Sequence, residues 1–397
     1  MVRALGLLLV ASLLVVAAPA APSPAGAPAQ TVAQSVVQRG PASVTLEGRG
    51  YGHGRGMSQY GAQGAASERG KTHRQILRFY YPGLAFGTAG GTIRVLITAD
   101  SDGDVVVGAR RRLAVRSVGS DERFPLTSKG AKRWRITPID GGSSSRVWVL
   151  RSGWKKVRDL PGAAQFEAGG RPIELFTPAG AVRYRGALRS AGPGSDRATV
   201  NVLDLDPYLR GVVPREVPAL WHPEAVRAQS IAARTYAAYE RAFTDRGHFD
   251  VYDTTQSQVY GGRTAEHPAS DDAVRATAGV VLTDDGEPAF TQFSSSNGGW
   301  TVAGTLRYQV AKEDVWDPWA GNPNRTWTTT VAATAIERAY PAIGDFRRLR
   351  VVERDGHGAW NGRALRVRVV GARASRTVDA TDLRVALGLK STWFRQA

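Results

Sequence analysis

Glu216 is the residue of this sequence best suited to acid/base chemistry, because apolar residues surround it. Val213 lies three positions before it and Val217 follows it directly. A carboxyl group held among such neighbours loses hydration, which raises its pKa and lets it donate a proton near neutral pH. The alternative is a surface glutamate paired with Arg210 or Arg215, which the local sequence alone favours.

A glycine-rich segment lies well upstream, with glycine at every second position from Gly48 to Gly56. Such spacing indicates close backbone approach, and it matches no phosphate-binding motif. The polar residues His53, Ser58, Gln59 and Tyr60 are of the types that line a glycan groove. The alternative is a glycine-rich turn that packs this part of the chain onto the body of the protein, with His53 only hydrogen-bonded.

Two further segments, 253–262 and 292–300, combine amides, hydroxyls and aromatic rings, the mixture that sugar sites use. Arg234 and Tyr236 lie on the helix predicted after Glu216, where a guanidinium group suits either Glu216 or a substrate carboxylate; a structural ion pair is equally plausible. The candidate substrate-binding residues are therefore His53, Ser58, Gln59, Tyr60, Arg234, Tyr236, Gln258, Tyr260, Ser295, Ser296 and Asn297.

Other chemistries fit poorly. The chain has no cysteine and six scattered histidines, and it lacks H-E-x-x-H, so we expect neither a metal site nor a cofactor. The run from Ser294 to Ser296 lacks the G-x-S-x-G and S-x-x-K contexts, which disfavours a serine nucleophile.

The elements that must position these residues fall into separate groups. Alternating apolar residues between 92 and 190, separated by Gly, Asp and Ser clusters, predict antiparallel strands. A helix is predicted to begin at Pro223 and to end near Phe243, and a short capped helix is predicted over 379–387. Because strands and helices are segregated and no βαβ repeat is present, the predicted fold class is α+β.

The first 20 residues read as a signal peptide, with an apolar run and a small-residue cleavage site ending at Ala20, and residues 21–43 read as a flexible linker. An uncleaved signal anchor is the alternative, and it is the one route by which we expect membrane association. The predicted location is secreted, at the cell wall. A net charge of +17 favours polyanionic wall polymers. No basic run is interleaved with aromatic residues in the way that a stacking groove would require, so nucleic acid is not an expected partner.

Three stretches together resemble the stage II sporulation protein D family, also called the amidase-enhancer domain. They are G-Y-G-H-G-R-G-M-S-Q-Y-G-A at 50–62, P-R-E-V-P-A-L-W-H-P-E-A-V-R-A-Q-S-I-A-A-R-T-Y-A at 214–237, and F-S-S-S-N-G-G-W-T at 293–301. The resemblance covers roughly 44–84 and 195–395, including the closing L-G-L-K-S-T-W-F, and it leaves 92–190 only loosely accounted for.

The residue patterns and the resemblance together predict five segments: the signal peptide 1–20, the linker 21–43, a glycine-rich motif segment 44–84, a β-rich inserted or neighbouring domain 90–192, and a catalytic domain 195–397. The resemblance also implies a peptidoglycan lytic transglycosylase. Glu216 would protonate the glycosidic oxygen between N-acetylmuramic acid and N-acetylglucosamine. It would then act as the base while the muramic acid 6-hydroxyl attacks C1. One carboxylate suffices because the substrate supplies the nucleophile; Asp204, Asp206 and Asp253 are candidate helpers.

Two departures from the family pattern affect these expectations. The glycine-rich element lies near the C-terminus of the sporulation protein but near the start here, so the groove requires both ends of this chain to meet. Some members carry cysteines that bind zinc in the segment matching 253–262, where this chain offers Ser257 and no thiolate, so no zinc is expected.

The main rival function is a non-catalytic peptidoglycan-binding module that stimulates a cell-wall amidase, which makes such an amidase a candidate partner beside the glycan strands. A more distant rival is an adhesin whose β-rich segment carries the function. Only the enzyme would require Glu216 for its activity.

Overall fold

The N-terminal part of the described chain joins a strand to two short helices. The computed structural model describes residues 40–397, so the predicted signal peptide and most of the predicted linker lie outside the described residues. Ser58 caps the first helix by accepting a hydrogen bond from the Gly61 amide, and Thr72 and Gln75 form a capping box on the second. The elements are β1 (Ser43–Gly48), β2 (Met57–Ser58), α1 (Gln59–Arg69), α2 (His73–Tyr80) and β3 (Ala85–Thr88).

The next part of the chain is made almost entirely of antiparallel strands, as the alternating pattern predicts. Its elements are β4 (Thr92–Leu96), β5 (Val105–Gly108), β6 (Ala114–Ser117), β7 (Arg123–Pro125), β8 (Arg133–Ile139), β9 (Ser144–Leu150), β10 (Trp154–Pro161), β11 (Ala164–Glu167), β12 (Ile173–Thr177), β13 (Gly180–Tyr184), β14 (Ala187–Ala191) and β15 (Ala198–Asp204).

The segment that contains Glu216 is mainly helical. Pro223 occupies the first turn of its long helix, which ends at Phe243 as predicted. The elements are α3 (Leu205–Glu216), α4 (Pro223–Phe243), β16 (Val251–Tyr252), α5 (Pro268–Ala276), β17 (Val280–Asp284), β18 (Glu287–Pro288) and β19 (Phe293–Ser294), with a 3₁₀ turn at Gly262–Ala265.

The C-terminal part returns to strands and ends on a short helix and one more strand. Asp379 caps that helix through the Thr381 amide, which confirms the helix predicted over 379–387. The elements are β20 (Trp327–Ala332), α6 (Ala333–Ala339), β21 (Phe346–Arg354), β22 (Ala364–Gly371), β23 (Ser375–Asp379), α7 (Ala380–Leu387) and β24 (Phe394–Gln396).

Two large sheets organise the strand-rich part. A six-stranded sheet has the order β10-β9-β8-β5-β12-β13, and a seven-stranded sheet has the order β16-β4-β15-β14-β11-β6-β7. Their buried faces share one apolar core with α3 and part of α4. Since β16 pairs with β4, the strand-rich part and the segment with Glu216 share a sheet as well as a core.

The remaining cores lie around the helices. The other face of α4 packs with α1 and α2, where alanines such as Ala228 and Ala232 allow close approach. A separate core joins β1, β20 and the C-terminal elements. The α+β class is therefore confirmed. No helix within residues 40–397 combines the length and apolar composition needed to cross a bilayer.

Candidate functional site

Helix α3 ends at Glu216 and fixes its carboxylate beside a loop. Val213 and Val217 on either side are buried in the core, which holds the end of the helix in place. Gly211, one turn earlier, lets the loop approach: a Cβ there would lie 2.5 Å from the Tyr260 ring. The Val259 amide then donates to Glu216 Oε1 over 3.1 Å.

The Glu216 carboxylate makes few bonds for a half-buried group. Besides the Val259 amide, the Gln59 side chain donates to Oε2 over 3.4 Å. Burial raises the pKa of Glu216 above the ordinary glutamate value, and these two bonds oppose the shift only in part. Arg210 instead pairs with Asp271 and Glu266, and in residues 40–397 Glu216 has no ion-pair partner. The surface-pair alternative is therefore wrong.

A pocket of about 510 Å³ opens beside Glu216. It collects residues from the glycine-rich segment, α4, the loop after β16, the region around β19, and α7. Among the described residues that line it, Glu216 is the only acidic one. The lining residues are Tyr51, Gly52, His53, Glu216, Tyr236, Thr255, Gln256, Ser257, Gln292, Phe293, Ser294, Ser295 and Arg384.

The glycine-rich segment builds one wall of this pocket because its backbone runs against β19. Gly50, Gly52, Gly54 and Gly56 all have positive φ, between 63° and 109°. A Cβ on Gly52 would lie 2.6 Å from the Cβ of Ser294. Alternate glycines thus supply both the left-handed backbone and the close approach that the spacing predicts. The segment therefore packs onto the body of the protein, as the turn alternative predicts, and that glycan binds along it stays a prediction.

The two ends of the described chain, residues 40–397, meet at this wall. β2 pairs in parallel with β19, and Tyr51 exchanges backbone hydrogen bonds of 2.7 and 3.0 Å with Ser296. The Arg49 amide donates to the Trp393 carbonyl over 2.9 Å. The changed order of the segments therefore leaves the glycine-rich element beside the Glu216 pocket.

His53 contributes a neutral ring to the pocket. Burial, assisted by the positive charges of Arg55 and Arg363, lowers its pKa to about 4. Nδ1 accepts from the Arg55 amide over 3.0 Å, so the neutral ring carries its proton on Nε2. At neutral pH His53 is therefore uncharged, and its ring also hydrogen-bonds to the Phe293 backbone.

Six of the predicted substrate-binding residues are buried and bonded within the protein. Arg234 is fully buried and binds Asp206 and the carbonyls of Val274 and Val280. Gln258 bonds to Tyr208 and to the Ala233 carbonyl, and the Tyr260 hydroxyl donates to Asn201. Ser58, Ser296 and Asn297 belong to the buried network of Asp314 and Asp317, described below.

The other five lie in or beside the pocket. His53, Tyr236 and Ser295 line it, and Gln59 reaches Glu216. Tyr60 makes an edge-to-face contact with Trp221, with ring centroids 4.9 Å apart. The candidate helpers Asp204, Asp206 and Asp253 are absent from the described lining; Asp253 instead accepts from Thr98.

A buried pair of aspartates, which the sequence analysis did not single out, holds the pocket wall together. Asp317 accepts from Ser58, Ser296, the amides of Asn297 and Gly298, and Asn322. Asp314 accepts from Tyr80, Asn297 and two amides. Burial raises the pKa of both carboxyls, and the hydrogen bonds oppose that shift.

Arg384 on α7 also lines the pocket and was missed. Its Nε donates to the Lys390 carbonyl over 3.2 Å, and in the described chain its two terminal nitrogens have no hydrogen-bond partner. The sequence around it, Asp382-Leu383-Arg384-Val385, carries no motif. Only the folded chain places this guanidinium group in the pocket. Across residues 40–397, no group of three or more His, Asp or Glu side chains is placed to hold a metal ion.

Comparisons with known proteins match the segment that carries Glu216. Residues 194–283 match the family described as Stage II sporulation protein. The Amidase enhancer of Bacillus subtilis (strain 168) is 38% identical over 135 residues, which are 32% of this chain and 17% of that protein. Stage II sporulation protein D of the same strain is 26% identical over 225 residues, 49% of this chain and 61% of that protein.

A second Stage II sporulation protein D, from Bacillus amyloliquefaciens, is 32% identical over 118 residues, 26% of this chain and 34% of that protein. Each match thus spans less than two thirds of the relative concerned. The similarity to the stage II sporulation protein family therefore centres on residues 194–283, the segment that carries Glu216.

Proposed function

We propose that the Glu216 pocket cleaves peptidoglycan glycan strands as a lytic transglycosylase. The observation that carries the proposal is the state of Glu216: its carboxyl group has a raised pKa, no ion-pair partner among residues 40–397, and no second acid among the described lining residues. A raised pKa keeps the carboxyl protonated at higher pH, as a general acid requires. A single acid suits a reaction whose nucleophile belongs to the substrate.

In the proposed reaction, protonated Glu216 donates its proton to the glycosidic oxygen as the bond to C1 of N-acetylmuramic acid breaks. The resulting carboxylate removes the proton from the 6-hydroxyl of the same sugar as O6 bonds to C1. The products are a 1,6-anhydro end and a new 4-hydroxyl, and Glu216 regains its proton. A retaining hydrolase would need a second carboxylate about 5 Å away, and the described lining offers none.

The other lining residues suit a glycan. Tyr51 is 46% exposed and Tyr236 and Phe293 are half-buried, which gives aromatic surface for sugar rings. His53 offers an uncharged ring, and Arg384 offers a cation for a substrate carboxylate. We further propose that the chain acts outside the cytoplasm, at the wall, because residues 1–20 have the pattern of a signal peptide.

The alternative is a non-catalytic protein that binds peptidoglycan and stimulates an amidase. The relative named Amidase enhancer, 38% identical over its matched part, supports this alternative. The pocket would then bind glycan without breaking it, and Glu216 would serve as a hydrogen-bonding group.

Mass spectrometry of glycan ends separates the two functions. Purified peptidoglycan, intact and amidase-stripped, is incubated with the mature protein, with Glu216→Gln and with Glu224→Gln. Glu224 is a matched control because it is a partly buried glutamate at the start of α4 that pairs with His73 and Arg227 outside the pocket.

We expect anhydromuramic ends from the wild type and from Glu224→Gln, and a loss of about 10²–10⁴-fold in Glu216→Gln, the range for a general acid. Wall binding should persist in all three. Wall binding with no new ends from the wild type on either substrate would reject the transglycosylase and favour the enhancer.

A further inference from the structure

A groove rich in arginine crosses the edge of the six-stranded sheet, away from the Glu216 pocket. One cavity of about 360 Å³ and a second of about 500 Å³ share Pro172, Glu174 and Arg183. Arg110 lines the first and Arg263, on the 3₁₀ turn Gly262–Ala265, lines the second. We call this feature the arginine groove.

Positive charge is in excess along the arginine groove. Glu174 is the one acidic residue among its described lining, and it lies 3.5 Å from Arg183. Arg263 forms an ion pair with Glu266 over 3.3 Å, but Glu266 also forms an ion pair with Arg185. The three arginines that line the groove therefore exceed the negative charge available to them.

Arg110 is the least satisfied of these cations. Its Nε is buried without a hydrogen-bond partner, and within residues 40–397 it forms no ion pair. Burial and the nearby charges of Arg171 and Arg183 lower the pKa of its guanidinium group. A buried donor that lacks an acceptor is costly, and an anion in the groove would supply one.

The arginine groove also differs from the Glu216 pocket in what it lacks. None of its described lining residues is aromatic, so it offers no surface on which a pyranose ring or a nucleic-acid base could stack. Recognition there must rest on charge. Guanidinium groups bind phosphate through paired, charge-assisted hydrogen bonds.

We propose that the arginine groove binds a phosphodiester-linked polyol, a polymer with one negative charge in each short repeat and no ring that requires stacking. The arginines would contact successive phosphates, with Arg110 filling its unmet hydrogen bond. Binding there would tether the chain to an anionic polymer while the Glu216 pocket is free to meet another. The proposal does not depend on catalysis by Glu216.

The test measures binding of fluorescent poly(glycerol phosphate) oligomers by anisotropy at several salt concentrations. The mature protein carries Glu216→Gln throughout, so catalysis plays no part. Arg110→Gln/Arg183→Gln is compared with Arg151→Gln/Lys155→Gln, which removes the same charge near β10, the opposite edge of the same sheet. The side chains of Arg183, Arg151 and Lys155 are exposed, and the Arg110 Nε has no bond to lose.

We expect the groove variant to bind about tenfold more weakly or worse and its log K against log salt slope to fall by about 2. The control pair should change affinity by less than about threefold, the screened effect of net charge. Arg183→Glu alone should weaken binding further than Arg183→Gln. Equal losses in the groove and control variants would overturn the proposal.

Two further probes test the identity of the anion. Phosphatidylglycerol vesicles and single-stranded DNA present phosphates in a surface and beside stacking bases. Binding of either one as tightly as poly(glycerol phosphate), with the same loss in Arg110→Gln/Arg183→Gln, would reject the polyol polymer as the ligand. All variants are first checked for wild-type melting temperature, so a folding defect cannot imitate lost binding.

Discussion

Glu216 and Asp317 are both carboxylates close to the glycine-rich wall, one half-buried and one fully buried, and their hydrogen bonding differs. Asp317 accepts five hydrogen bonds from side chains and amides, among them those of Ser58 and Ser296. Glu216 accepts two, of which one is long. Asp317 is fully buried, whereas Glu216 borders a pocket of about 510 Å³.

The difference in hydrogen bonding and burial suits Asp317 to a structural role and Glu216 to a chemical one. A carboxylate surrounded by donors has no free lone pair for a ligand, even where burial raises its pKa. A carboxylate with few donors and an open side keeps free lone pairs and can reach a substrate. Position within a motif does not distinguish these two roles. Ser58 and Gln59 are adjacent in sequence, yet Ser58 donates to Asp317 and Gln59 donates to Glu216.

Replacing Asp317 should have the largest effect on stability. In Asp317→Asn, an amide group takes the place of one oxygen and faces the Gly298 amide and the Asn322 side chain, so two charge-assisted bonds are lost. We expect the free energy of unfolding to fall by about 3–5 kcal/mol, measured by urea denaturation. Glu216→Gln should change it by less than about 1 kcal/mol, because Gln keeps the acceptor for Val259. Comparable losses in both variants would mean that Glu216 is as structural as Asp317.

Several features of Glu216 and of the glycine-rich wall could be predicted from the sequence. The structural role of Asp317 could not. The apolar flanks of Glu216 predicted its raised pKa, and the spacing of the glycines predicted close approach. Ser296 and Asn297 are polar residues in a motif, which is equally consistent with a ligand site or a buried network. Only the fold brings Asp317 to them, from about 20 residues further along the chain.

The surroundings of several other residues depend on contacts between elements that are far apart in the sequence. Arg234 has a buried environment because α4 packs against the elements that carry Val274 and Val280. Arg384 reaches the pocket from α7 without any local signal. The strand register likewise brings Arg135 within 5.3 Å of the Trp148 ring and 4.4 Å of the Trp154 ring. Such contacts depend on which strands and helices become neighbours, and periodicity cannot specify that.

Asp100 is a buried carboxylate with few hydrogen-bond donors, like Glu216, but it does not line the Glu216 pocket. We expect it to make the stability of the fold depend on pH. One oxygen accepts from Thr199, and the other is buried without a partner. Burial, assisted by repulsion from Asp102 and Asp104, raises its pKa to about 7. Because the folded pKa exceeds the unfolded one, ionisation opposes folding above pH 7. Its cost therefore diminishes as the pH falls through 7.

We expect Asp100→Asn to raise the free energy of unfolding at pH 8.5 by roughly 1–3 kcal/mol, with a smaller gain at pH 6. The difference between variant and wild type at each pH, measured by urea denaturation, removes the opposing contribution of His53, whose low pKa favours the fold as pH rises. Asp285→Asn, at a side chain 94% exposed, is the control and should change little at any pH. If Asp100→Asn raised the free energy of unfolding equally at every pH, the gain would not come from removing the charge of Asp100.

The smallest expected effect tests whether Gln59 tunes Glu216. Gln59→Leu removes the donor to Oε2 and leaves the Val259 bond. Since hydrogen bonds to the charged form lower a carboxyl pKa, we expect the pKa of Glu216 to rise further, measured by NMR of ¹³C-labelled glutamate carboxyls. If the chain is an enzyme that needs protonated Glu216, the alkaline fall in its activity should move to higher pH by the same amount.

Gln63→Leu is the matched control for this change. Gln63 is also buried on α1, but its side chain accepts from the His222 amide and makes no bond to Glu216. Both variants disturb the same helix, so a general loosening would shift the Glu216 titration in both. A shift confined to Gln59→Leu would show that a sparse set of donors sets the acidity of Glu216. No shift in Gln59→Leu would mean that burial alone sets it, which would make the contrast with Asp317 one of exposure to the pocket rather than of hydrogen bonding.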